Sequence, residues 1–172
     1  MDYIVMLPIM FVKTFVLAAI TTAATIPRNT LYPSSEDYIW QVTQWQAGES
    51  HGAPTTPITG WYSFNVSGIG FGEGSARVPP FSAHCEGHAD GKPLSSNISS
   101  CTLEAAAGTS ETSVLSQVLP VMANSQAHIS VNYLFSTDDE SKTKRNFTVT
   151  IVEDWARERP PHNFTVTPSE PA

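Results

Sequence analysis

Three observations predict an all-β chain, a compact antiparallel β-sandwich or barrel of about seven strands. Short segments rich in aromatic and β-branched residues alternate apolar and polar types with a period of two. Turn residues separate them roughly every 10–20 residues. No apolar period of 3.6 lasts beyond two helical turns. One core of this kind suits a sandwich or barrel.

Residues 38–45 (YIWQVTQW) read as the first strand, and 46–60, with Gly48, Gly52, Pro54 and Pro57, as a loop. In 61–67 the side chains Tyr62, Phe64 and Val66 share one face, while Ser63, Asn65 and Ser67 share the other; the apolar set points inward. Residues 68–74 (GIGFGEG) read as a loop, because they match no phosphate-binding glycine spacing. Pro79-Pro80 then blocks regular pairing. In 81–88 Phe81, Ala83 and Cys85 point inward, and 98–103 pair with that strand, which brings Cys101 opposite Cys85. Residues 113–121 are apolar and end near Pro120. The alternation is cleanest in 127–135, with Ile129, Val131, Tyr133 and Phe135 inward. The charged stretch 136–144 turns the chain into 145–154, where Phe147, Val149 and Ile151 face in. The pentapeptide NFTVT occurs at 146–150 and again at 163–167. The recurrence reads as chance in a Thr-rich chain; the alternative is a second, edge strand after the Pro160-Pro161 bend.

The expected organisation is therefore a signal peptide at 1–24, a polar lead-in at 25–37, a single β domain at 38–155, and a Pro-rich extended or disordered tail at 156–172. The signal reading rests on an apolar stretch that ends in Thr21-Thr22-Ala23-Ala24, with cleavage expected after Ala24. Lys13 precedes the apolar run only if translation starts at Met10, which is the start expected here. No stable membrane insertion is expected once the signal is removed.

Export has two further correlates in the sequence. Cys85 and Cys101 are the only cysteines, and an even pair in an oxidising compartment reads as a disulfide, against the alternative of two buried thiols. Four Asn-x-Ser/Thr sequons stand at Asn65, Asn97, Asn146 and Asn163, none with proline in the middle.

The 172 residues carry a net charge of −7 and a charged fraction of 15%. That balance argues against a nucleic-acid surface. No cofactor and no catalytic residue is expected. There is no G-x-S-x-G elbow, and a small secreted hydrolase is only the third reading. His84, Glu86 and His88 alternate onto one strand face and form a weak candidate metal trio. Among the four tryptophans, Trp61 and Trp40 are candidate ligand-binding residues, because sugar rings stack on exposed indoles.

The W-x-V-T-x-W strand at 40–45, the YSFNVS segment at 62–67, the FSAHC segment at 81–85 with Cys101 sixteen residues on, and the closing hairpin of 127–133 and 146–149 together resemble the Alternaria major allergen-like family of small secreted fungal proteins. The likeness spans residues 38–154. It implies a compact β fold stapled by disulfides, although this chain is one disulfide short of the usual pattern. It also implies an extracellular effector, elicitor or allergen that binds protein without catalysis, here through loops 46–60 and 68–80. A cell-wall carbohydrate-binding module that uses Trp61 is the alternative. The partner is then an extracellular protein or a cell-wall glycan.

Overall fold

The computed structural model describes residues 38–50, 58–74, 77–106, 111–120, 126–137, 140–155 and 161–171. The expected signal peptide and lead-in, residues 1–37, lie outside these.

The described residues form nine strands in two antiparallel sheets: β1 (Trp40–Ser50), β2 (Thr59–Gly68), β3 (Phe81–Asp90), β4 (Ser99–Ser100), β5 (Thr102–Ala106), β6 (Ser113–Val118), β7 (Gln126–Ser136), β8 (Lys144–Asp154) and β9 (His162–Val166). One sheet has the order β5-β3-β2-β1-β9 and the other β4-β6-β7-β8. Of the two expected architectures this is the sandwich; the sheets do not close into a barrel.

The core follows from the alternation. Tyr62, Phe64 and Val66 from β2, Phe81, Ala83 and Cys85 from β3, and Ile129, Val131, Tyr133 and Phe135 from β7 are all buried. Phe81 stacks on Tyr133 with ring centroids 4.1 Å apart, which joins the two inner faces. The Tyr62 hydroxyl meets Ser116 Oγ at 2.8 Å across the same gap, so both buried polar groups are satisfied. Burial raises the Tyr62 pKa, and the bond to Ser116 partly opposes that.

Four features depart from the sequence reading. First, β1 runs on to Ser50, so the segment expected as a loop from 46 is strand as far as that residue, and Gly48 lies within it. Second, a bulge interrupts β1 between Thr43 and Gln46, with Gln44 at φ 55°. Trp40 and Trp45 are five residues apart, so strict alternation would put them on opposite faces. The bulge shifts the phase and turns both inward, each 1% exposed or less. Trp40 is consequently no ligand-binding candidate: it packs edge-on against Phe81 and Tyr133 in the core.

Third, the strand expected at 98–103 is two strands in different sheets. β4 pairs with β6, and β5 pairs with β3. Cys101 is the residue at which the chain crosses over. Its N–H donates to the Val114 carbonyl at 2.8 Å, and its sulfur is bonded to that of Cys85.

Fourth, the sheet does not end at residue 155. The first four residues of the second NFTVT copy lie in β9, which pairs antiparallel with β1 from Trp40↔Val166 to Trp45↔His162. Phe164 packs against Trp45, which gives this strand an apolar anchor. Beyond β9 the chain crosses to the other sheet, where Ser169 and Thr148 exchange both backbone hydrogen bonds at 2.8 and 2.9 Å. Glu170 accepts two hydrogen bonds from the Arg145 guanidinium, at 2.8 and 2.7 Å. That guanidinium also lies over the rings of Phe135 and Phe147. The segment expected as an extended or disordered tail is thus, over 162–170, a strap that ties β1 to β8.

Candidate functional site

The outer face of the five-stranded sheet collects five of the residues singled out from the sequence: Trp61, Asn65, His84, Glu86 and His88. The strand register sets it out in rows. Gly48, Trp61 and His88 stand side by side; the next row is Gln46, Ser63 and Glu86; the next is Thr43, Asn65, His84 and Thr102. Gln41, Ser67 and Ser82 follow. The face is therefore built of hydroxyls and amides with two imidazoles and the Glu86 carboxylate, and it carries one large aromatic ring.

Trp61 is 42% exposed. Its neighbour across the strand pair explains its pose. A Cβ on Gly48 would lie 2.6 Å from the indole Nε1 and 2.8 Å from Cε2, so only glycine lets the ring lie over β1. The glycine that read as a loop marker is a seat for the ring instead. Trp155, by contrast, is partly buried against the core and close to Gly60.

The candidate metal trio does not converge. His84, Glu86 and His88 do share one face, but residues two apart on a strand are separated by ~7 Å, so His84 and His88 stand ~13 Å apart along β3. His84 Nε2 is 3.8 Å from Glu86 Oε2, and its Nδ1 is committed to Asn65 Oδ1 at 2.7 Å. Among the described residues no group of three His, Cys, Asp or Glu side chains is placed to hold an ion.

The four sequon asparagines occupy different settings. Asn97 is exposed just before β4. Asn163 is exposed on β9, and its Oδ1 accepts the Gln44 N–H at 2.8 Å, which pins the β1 bulge. Asn65 is half-buried at the centre of the Trp61 face, and its Oδ1 accepts from the His84 Nδ1–H. Asn146 is half-buried on β8, and its Oδ1 is buried without a hydrogen-bond partner among the described residues.

Residues 51–57 of the first expected binding loop lie outside the described residues. In the second, 68–80, Phe71 and Val78 exchange backbone hydrogen bonds at 3.0 and 2.7 Å, and Gly72 and Gly74 take positive φ in the turn between them. Ile69, at the base of this turn, is 79% exposed. The 136–144 hairpin forms as expected, closed by the Thr137 N–H to the Thr143 carbonyl at 3.0 Å. Among the described residues no helix is long and apolar enough to cross a membrane.

Comparison with family models, with curated proteins and with solved structures finds no match.

Proposed function

We propose that this chain is a secreted, non-catalytic binding protein whose ligand surface is the outer face of the five-stranded sheet, and that the ligand is a glycan of the cell-wall type. The observation that carries this reading is Trp61, 42% exposed on a sheet face lined with hydroxyls, amides, two imidazoles and a carboxylate. An indole stacks on the apolar side of a sugar ring, and the rows of Ser63, Gln46, Glu86 and His88 offer donors and acceptors to its hydroxyls. The mechanism is surface occupancy, with no bond made or broken. The Cys85–Cys101 disulfide supports export, because such bonds persist in oxidising compartments.

The test is retention of the secreted protein on insoluble cell-wall polysaccharides and on a glycan array. Trp61→Ala is expected to lose about 2 kcal/mol, roughly thirtyfold in Kd, as central tryptophans do at binding surfaces. Its melting temperature should fall only modestly, since the ring packs on the sheet surface over Gly48 and lies outside the core. Equal retention of the variant, or no retention of the parent on any glycan, would reject the reading.

One observation favours a second reading. Ile69 is the most exposed large apolar side chain among the described residues and projects beside the 71–78 turn. It would serve capture of an extracellular protein through the 68–80 loop, as the allergen-like resemblance implies. Pull-downs that fail with Ile69→Ser and survive Trp61→Ala would select this alternative.

A further inference from the structure

We infer that Asn65 carries an N-linked glycan and that this glycan lies over the Trp61 face as a built-in cover, competing with external sugar for the same indole. The inference rests on the proposed reading of that face as a glycan-binding surface and supplies its regulation.

Its first support is placement. Trp61, Ser63 and Asn65 are alternate residues of one strand, so their side chains leave the same side of the sheet. Asn65 and Trp61 are ~13 Å apart along β2, a span within reach of a branched N-glycan core. Among the sequons, Asn97 stands outside the strands and Asn146 lies in the other sheet. Asn163 sits on β9, with β1 between it and β2. Only Asn65 shares a strand with Trp61.

The second support is the amide itself. His84 Nδ1–H occupies Oδ1 at 2.7 Å, while Nδ2 has no hydrogen-bond partner among the described residues. Nδ2 is the atom that glycosylation uses. The bond to His84 therefore fixes the amide plane without consuming the reactive nitrogen, and it survives the modification because Oδ1 is untouched. In the modification, Nδ2 bonds to the anomeric carbon of a lipid-pyrophosphate-linked oligosaccharide. The bond from that carbon to the pyrophosphate oxygen breaks, the lipid pyrophosphate leaves with the electron pair, and the nitrogen gives up one proton.

The third support is chemical fit. The rows between Asn65 and Trp61 hold Ser63, Gln46 and Glu86, which can hydrogen-bond sugar hydroxyls, and they end on a ring that sugars stack against. A tethered sugar meets this face at the high effective concentration of an intramolecular ligand. If the cover leaves the face open about one-tenth of the time, the apparent Kd for an external glycan is about tenfold weaker than that of the bare face.

The experiment uses the full chain secreted from a eukaryotic host. Ser67→Ala removes the sequon while leaving Asn65 and its bond to His84 in place. Thr165→Ala removes the Asn163 sequon as a control. Glycopeptide mass spectrometry reads occupancy at Asn65. Oxidative footprinting reads the solvent access of Trp61 with no ligand added. Retention on polysaccharide reads binding. The expected result is an occupied Asn65, faster Trp61 oxidation in Ser67→Ala but not in Thr165→Ala, and retention about tenfold tighter in Ser67→Ala. An unoccupied Asn65, or Trp61 oxidation unchanged by Ser67→Ala, overturns the cover. Faster oxidation in Ser67→Ala with no retention on any polysaccharide upholds the cover and instead rejects the face as a glycan-binding surface.

Discussion

The disulfide closes the chain at its crossover between sheets, and its removal has a calculable effect. Replacing both partners, Cys85→Ala with Cys101→Ala, frees a loop with a sequence separation of 16 residues. The chain-entropy relation assigns a loop of that length about 3 kcal/mol at 25 °C, through the larger freedom of the unfolded chain. Cys85 is fully buried, so loss of its sulfur adds about 1 kcal/mol, comparable to a deleted core methyl. The sum of about 4 kcal/mol corresponds to a Tm lower by about 8–16 °C in a domain of this size. Urea unfolding measures it, and the m-value should rise because the uncrosslinked unfolded chain exposes more surface. Reductant added to the parent should reproduce about three-quarters of the loss, since it cuts the link and leaves the sulfurs in place. A loss below about 1 kcal/mol with an unchanged m-value would refute the assignment of stability to unfolded-state entropy.

Other perturbations test the packing and the strap. Gly87→Ala puts a methyl into the Tyr62 ring, 2.6 Å from Cζ, and so pushes its hydroxyl off Ser116. Overpacking together with a broken buried hydrogen bond should cost about 2–4 kcal/mol in denaturant unfolding, and a neutral variant would contradict the packing described. Gly48→Ala should displace the Trp61 indole and weaken polysaccharide retention while Trp61 remains present; unchanged retention would separate ring pose from binding. The Arg145 guanidinium holds the Glu170 carboxyl below its ordinary value, mainly through hydrogen bonding. A depressed folded-state pKa means that this stabilisation is complete above about pH 4.3, the unfolded value, and fades as pH falls through the folded one. Glu170→Gln should therefore lower stability near neutrality and flatten the acid limb below about pH 4; identical limbs for parent and variant would remove the strap from the acid response.

The readable parts of the fold share a physical property. β2, β7 and β8 each bury one face only, and a period of two then writes the face directly into the sequence. The unreadable parts are those where local rule and tertiary context disagree. Nothing in Val42-Thr43-Gln44-Trp45 announces a bulge, because the strained Gln44 is held by Asn163, far away in the sequence. The crossover at Cys101 carries neither glycine nor proline, so 98–103 looked like one strand. The prolines around the strap signal irregular backbone and weigh against the edge-strand alternative, although the five residues HNFTV suffice to add that strand. At the candidate site, the alternation of Tyr62, Phe64 and Val66 permits an outward Trp61 without deciding its exposure, and nothing in the sequence shows its seat on Gly48. The metal trio had the right face, and strand rise alone was enough to separate its members.

The strap also sets an order of events during synthesis. Gln44 and the Asn163 that holds its bulge are 119 residues apart. At ribosomal speed the ribosome takes on the order of ten seconds to pass between them. Throughout that interval β1 can pair with β2 on one side, while its other edge stands open as a template for any passing strand. The earliest of the described strands to be made therefore keeps that edge uncovered until β9 arrives.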